Sequence, residues 1–89
     1  MGVRLSADWM TKADDRILEF LESEMKATPS EMADDARIRY DGQYIQQRLA
    51  VLLEAGLITR VHRGVYTLSS KGQEYLAGTA DLRDEPEPE

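Results

Sequence analysis

Apolar residues recur at spacings of three and four along the first third of the chain: Ile17, Leu18, Phe20, Leu21 and Met25. At about 100° per residue these positions share one side of a helix, with Glu19, Glu22 and Glu24 left on the solvent side. Thr11 stands three residues before Asp14, an acidic variant of the capping box, and Asp15 adds negative charge near the positive end of the dipole, so this helix is expected to begin after Thr11. A second start is written in Thr28-Pro29-Ser30-Glu31. Thr28 caps, Pro29 occupies the first turn, where a missing N–H costs nothing, and Glu31 returns a bond to the cap. That helix is short, with Met32 and Ala33 inward and Asp34-Asp35 at its end. In the turn that follows, Ile38 is expected to plug the core while Arg37 and Arg39 stay outward, available to phosphate.

Asp41 caps a third helix, expected over about 42–55, whose apolar positions Ile45, Leu49, Leu52 and Leu53 lie on one face. The opposite face carries Gln43, Gln46, Gln47, Ala50 and Glu54, with Tyr44 and Arg48 on its flank. Gly56 stops the helix. Leu57–Val61 and Val65–Leu68 then read as two β-rich runs around a turn at His62-Arg63-Gly64, which exposes Arg60, His62 and Arg63 near the tip. Ser69 or Ser70 starts a last short helix that packs Tyr75 and Leu76 back on the first. Trp9 and Met10 lie outside any strong pattern; they either cover the base of the core or meet a second subunit. After Gly78 the run from Asp81 to Glu89 is acidic and Pro-rich, and it is expected to bury nothing and to be disordered.

Two helices joined by a few residues, a Gly stop and a hairpin with a basic tip, all within residues 28 to 68, form the pattern of a winged helix-turn-helix. The fold class is therefore mainly α with a small β-hairpin (α+β). The expected organisation is an N-terminal arm over 1–10, the winged domain over 11–77 and an acidic tail over 78–89. Such a unit presents its third helix to DNA. Gln can pair twice with an adenine edge in the major groove, and a small Ala permits close approach to a thymine methyl. Gln is also an ordinary helix-surface residue, so its place after the turn is what gives it weight.

Charge changes this picture in one respect. The chain has 89 residues with 17 acids and 11 bases, a formal net charge of -6, which looks wrong for a protein that must meet phosphate. The acids are segregated: residues 1–35 carry net -5, residues 36–72 carry net +4 and residues 73–89 carry net -5. The positive excess thus coincides with the third helix and the hairpin. Eight of the bases are Arg and three are Lys, and Asn is absent. This composition resembles cytosolic proteins of salt-loving archaea, in which the Debye length falls to about 3 Å and net acidity ceases to repel DNA.

Other functions are poorly supported. The absence of cysteine removes disulfides and thiolate metal sites, and the single histidine, His62, rules out a multi-His site or a His-based triad drawn from this chain. The pairs Asp14-Asp15 and Asp34-Asp35 occupy helix ends, and adjacent helical residues do not face each other, so they are expected to be solvated or capping groups. Gly56, Gly64, Gly72 and Gly78 are scattered as punctuation, not gathered into a phosphate loop. The longest apolar run, Leu49 to Leu53, is far short of the ~20 residues needed to cross a bilayer, and no secretory leader pattern is visible at the N-terminus. The expectation is a cytoplasmic protein that is not an enzyme, with no cofactor, no metal, no membrane partner and no evident small-molecule ligand.

Trp9-Met10-Thr11 leading into Asp14-Asp15-Arg16-Ile17-Leu18-Glu19-Phe20-Leu21, Ala27-Thr28-Pro29-Ser30-Glu31, Ile38-Arg39-Tyr40 before Gln43-Tyr44-Ile45, and Gly64-Val65-Tyr66 together resemble the haloarchaeal winged-helix proteins related to the repressor of phage phi-H. The resemblance covers most of positions 9 to 77. It implies a transcriptional regulator that binds double-stranded DNA, as a homodimer on an inverted-repeat operator. Members of that family are richer in Arg and Lys along the recognition helix, where this chain has Gln46, Gln47, Ala50 and Val51. The expected contact set is Arg37, Arg39, Tyr40, Gln43, Tyr44, Gln46, Gln47, Arg48, Arg60, His62 and Arg63, with the wing over about 58–68 on the backbone or in the minor groove. The alternative is a winged-helix module that binds protein, through the Trp9-Met10 arm or the first helix, and leaves DNA alone.

Overall fold

The computed structural model describes residues 3–88; the first two residues of the expected arm and the last residue of the expected tail lie outside them. Four helices and three strands follow in the order α1 (Lys12–Glu24), β1 (Lys26–Ala27), α2 (Pro29–Asp34), α3 (Gly42–Glu54), β2 (Ile58–His62), β3 (Val65–Leu68) and α4 (Ser70–Ala77). Each helix starts where a short polar side chain can take up an orphan backbone N–H. Thr11 and Asp14 exchange bonds at the head of α1, and Thr28 and Glu31 do so at the head of α2. Asp41 accepts from the Tyr44 N–H at 3.0 Å and Ser69 from the Gly72 N–H at 3.0 Å. Gly78, with φ of 83°, closes α4 in the left-handed conformation that a residue without Cβ adopts freely.

The hairpin is not a free-standing wing. β1 adds a third strand, giving the antiparallel order β1-β3-β2, with Lys26 opposite Thr67 and Ala27 opposite Tyr66. Thr67 Oγ1 also donates to the Met25 carbonyl at 2.7 Å, so β3 is central and is fastened to the end of α1. β2 and β3 pair from Ile58 opposite Leu68 to His62 opposite Val65, with the register shifted between Arg60 and His62. Arg63-Gly64 makes the tight turn, with Gly64 at φ of 73°.

The core draws on every helix. Ile17, Leu18, Leu21, Met32, Ile38, Ile45, Leu49, Leu52, Leu57, Ile58 and Tyr75 are all essentially removed from solvent, each aliphatic one contributing roughly 1.5–3 kcal/mol by burial. Ile38 enters from the α2–α3 turn as its flanking arginines led one to expect. Gly72 is not punctuation, however. It lies inside α4, where a Cβ would collide with the Leu57 carbonyl and stand 2.7 Å from Leu68 Cδ1, so its role is to let α4 approach the strand entrance.

The expectation that nothing beyond Gly78 is buried is corrected at Leu82, which is 3% exposed and belongs to the core. Leu5 and Asp81 form a parallel bridge, and the Leu82 N–H donates to the Leu5 carbonyl at 2.9 Å. Trp9 Nε1 donates to the Glu85 carbonyl at 3.2 Å, and Lys71 pairs with Glu85. The acidic composition led to the wrong expectation because one apolar residue with a fitted pocket and a backbone partner outweighs its charged neighbours. Trp9 and Met10 pack partly buried against the core, which is the first of the two places expected for them.

Candidate nucleic-acid interface

α3 rests on the body through Ile45, Leu49 and Leu52, all buried, and turns Gln43, Gln46, Gln47, Ala50 and Glu54 into solvent. Four of these five exposed side chains are uncharged and three carry both a donor and an acceptor, the equipment needed to read base edges. Tyr44 is half-buried on the flank, its ring 5.4 Å from that of Tyr40 and tilted 44° to it. Tyr40 is half-buried against the core just before the helix cap. This pair stiffens the entry to α3.

Arg48 departs from expectation. Its Nε donates to Asp14 Oδ1 at 2.8 Å and its Nη2 to Asp14 Oδ2 at 2.7 Å, a bidentate pair in which the Arg48 side chain is 16% exposed and that of Asp14 is fully buried. Nη2 also reaches the Trp9 carbonyl at 3.4 Å. The hydrogen bonds to Asp14 strengthen the hold of Arg48 on its proton. Arg48 is thus a strut between α3 and α1 with its Nε and Nη2 engaged inside the protein, and Asp14 is a buried counter-ion as well as a cap. Arg37 departs too. It binds Asp35 through Nε at 2.8 Å and Nη2 at 2.9 Å, reaches Glu24 at 3.3 Å and lies 4.8 Å over the Phe20 ring. Asp35 is held down to about 2 by the Arg37 side-chain bonds first and by the Arg37 backbone N–H second.

The remaining expected cations stand free. Arg39, Arg60 and Arg63 are exposed and make no ion pair with any described carboxylate, and neither do Lys12 and Lys26. His62 is exposed at the last pairing of the hairpin. The structure therefore separates the expected residues into four groups: a bare glutamine face, the half-buried Tyr40–Tyr44 pair, free arginines at the turn before α3 and, with the exposed His62, on the hairpin after it, and two arginines engaged within the protein. Sequence reasoning did not count Lys12 and Arg16, exposed on the first turns of α1. The available signal was Lys12 at the first position of a helix, where a cation is disfavoured. Among the described residues no helix is long and apolar enough to cross a membrane, and no group of three or more His, Asp or Glu is placed to hold a metal ion.

Residues 3–87 match the model of the winged helix-turn-helix phage repressor family. The crystal structure of the PhiH1 repressor-like protein from Haloarcula marismortui is similar to this chain at 34% identity and a TM-score of 0.90, over 98% of this chain and 99% of that one. No curated protein sequence matches the chain.

Proposed function

The chain belongs to the winged helix-turn-helix phage repressor family, and from that membership we propose that it is a transcriptional regulator that binds double-stranded DNA sequence-specifically as a homodimer. It acts by binding, not by catalysis. α3 enters the major groove, and the β2–β3 wing meets the backbone or the minor groove through Arg60, His62 and Arg63. The observation that carries this reading is the bare face of α3. Gln43, Gln46 and Gln47 are exposed and uncharged on a helix otherwise fixed to the body, with free cations on either side of it in the chain.

Arg60→Ala combined with Arg63→Ala is expected to weaken binding to every duplex alike and to lower the salt slope by about 1 for each phosphate no longer neutralised. Gln43→Ala is expected instead to change which sequences are preferred, by about 1–3 kcal/mol at the affected base pair. Selection from a random duplex library, followed by titration across a salt series, separates the two effects. Full affinity in the double variant removes the wing from the mechanism. For the dimer, the measurement is sedimentation of the free and DNA-bound chain. A selected site with two half-sites about 34 Å apart supports it, and a single half-site bound by one chain overturns it.

A further inference from the structure

An open groove of about 670 Å3 lies between the first turns of α1 and the α2–α3 turn, and its lining includes Lys12, Arg16, Arg37, Ile38, Arg39 and Tyr40. Two local choices there run against ordinary preference. Lys12 is the first residue of α1, at the positive end of its dipole, and Arg16 lies one turn on, so two like charges share one side of the helix. Arg39 holds φ of 62°, a left-handed conformation that costs a residue bearing a side chain. Its Nε donates to the Ala36 carbonyl at 3.0 Å, and its terminal nitrogens have no partner among the described residues.

Neighbouring acids do not account for this gathering. Glu19 gives Oε2 to Arg4 at 2.6 Å and meets Arg16 only through Oε1 at 3.7 Å, a long, exposed pair that is worth little. Glu24 and Asp35 are engaged by Arg37. Positions that break local rules without compensation inside the fold are the ones where function is expected to hold them. Tyr40 adds a phenol donor and, with its ring near that of Tyr44, joins the groove to the first turn of α3.

We infer that this groove seats a stretch of the phosphate backbone of the duplex that α3 reads, with Lys12 and Arg16 of α1 and Arg39 of the turn as the phosphate-binding cations. The inference rests on the DNA-binding reading above and adds to it a role for α1, on the side of α3 that the wing does not follow.

The test titrates a mixed-sequence duplex of about three helical turns against the parent chain, Lys12→Gln with Arg16→Gln, Arg39→Gly, and Arg60→Ala with Arg63→Ala, across a salt series. Each chain is also melted alone. The Lys12 and Arg16 variant is expected to melt no lower than the parent and to show a salt slope smaller by about 1 for each phosphate that its cations would have neutralised. Arg39→Gly adopts the left-handed backbone freely and is expected to melt higher while binding more weakly, a combination that an arginine serving only the fold does not give. An unchanged slope in both groove variants, alongside a reduced slope in the wing variant, overturns the groove and leaves the wing and α3 standing. Absence of duplex binding by the parent chain overturns both. Saturable amide shifts over Ala36 to Tyr40 with inorganic phosphate alone, and none with duplex, assign the groove to a free anion and overturn it as well.

Discussion

Asp14 is the one charged side chain that the fold removes fully from solvent among the described residues. It caps α1 and neutralises Arg48, so its loss leaves a guanidinium half-sheltered and unpaired. Asp14→Ala is expected to destabilise by about 3 kcal/mol in chemical denaturation, and Asp14→Ala with Arg48→Met by distinctly less, because removing both charges spares the uncompensated one. Tyr75 is the other interior polar group of consequence. Its hydroxyl donates to Asp15 Oδ1 at 2.6 Å, which leaves Ser6 Oγ, 2.8 Å away, to donate to the phenol oxygen. Burial first, and then the bond to Asp15, push Tyr75 from its ordinary 10 up to about 12. The fold therefore favours the neutral phenol. That stabilisation is complete below the ordinary value and is lost as pH rises through about 12, so a Tyr75→Phe chain is expected to lose the component of alkaline unfolding that falls between 10 and 12. At Asp35 the sign is opposite. Its carboxylate is the favoured form, and the contribution present above 3.8 is lost as pH falls toward about 2. In Arg37→Ala, the Asp35 carboxyl followed by NMR should titrate in the usual carboxylate range.

Helices and wing sit where their local signals placed them, since Thr11, Thr28, Asp41 and Ser69 act within three residues of themselves. What depends on distant partners was not legible. β1 is two residues long, too short to display any alternation, and exists because β3 offers it an edge. Arg48 and Asp14 are 34 positions apart, and nothing near either one announces the other. The exposed glutamine face of α3 was legible because it is the complement of an apolar face with a clear period. Gly72 shows the limit of reading a glycine from its neighbours, for its function is set by Leu57 and Leu68 across the packing of α4 on the strand entrance. Gly72→Ala is expected to destabilise by about 1–3 kcal/mol, although alanine is the better helix former, because the added methyl meets backbone that cannot yield. A thermal melt at or above that of the parent would show that α4 can shift to make room.

Across the whole molecule the two ends of the described chain close over the core. Leu5, Trp9, Asp81, Leu82 and Glu85 form a strap, and a chain ending at Gly78 is expected to lose about 2 kcal/mol in denaturation, from exposing the Leu82 pocket and releasing the bonds to Leu5 and Trp9. Of the acids after Gly78, Asp81 and Glu85 are tied to the body, which keeps Asp84 and Glu87 close to it along the chain. Removing them is therefore expected to strengthen binding to any duplex at low salt and to have little effect at high salt, which fluorescence anisotropy can check. The interior ion pair carries a last consequence. Electrolyte screens charges that face water and scarcely reaches a carboxylate sealed from it. The brace between α1 and α3 should then keep its geometry in brine concentrated enough to silence every ion pair on the outer surface. A change of affinity on adding salt would therefore report the charges that a duplex meets, attractive cations and repelling acids together, measured on a helix whose setting has not changed.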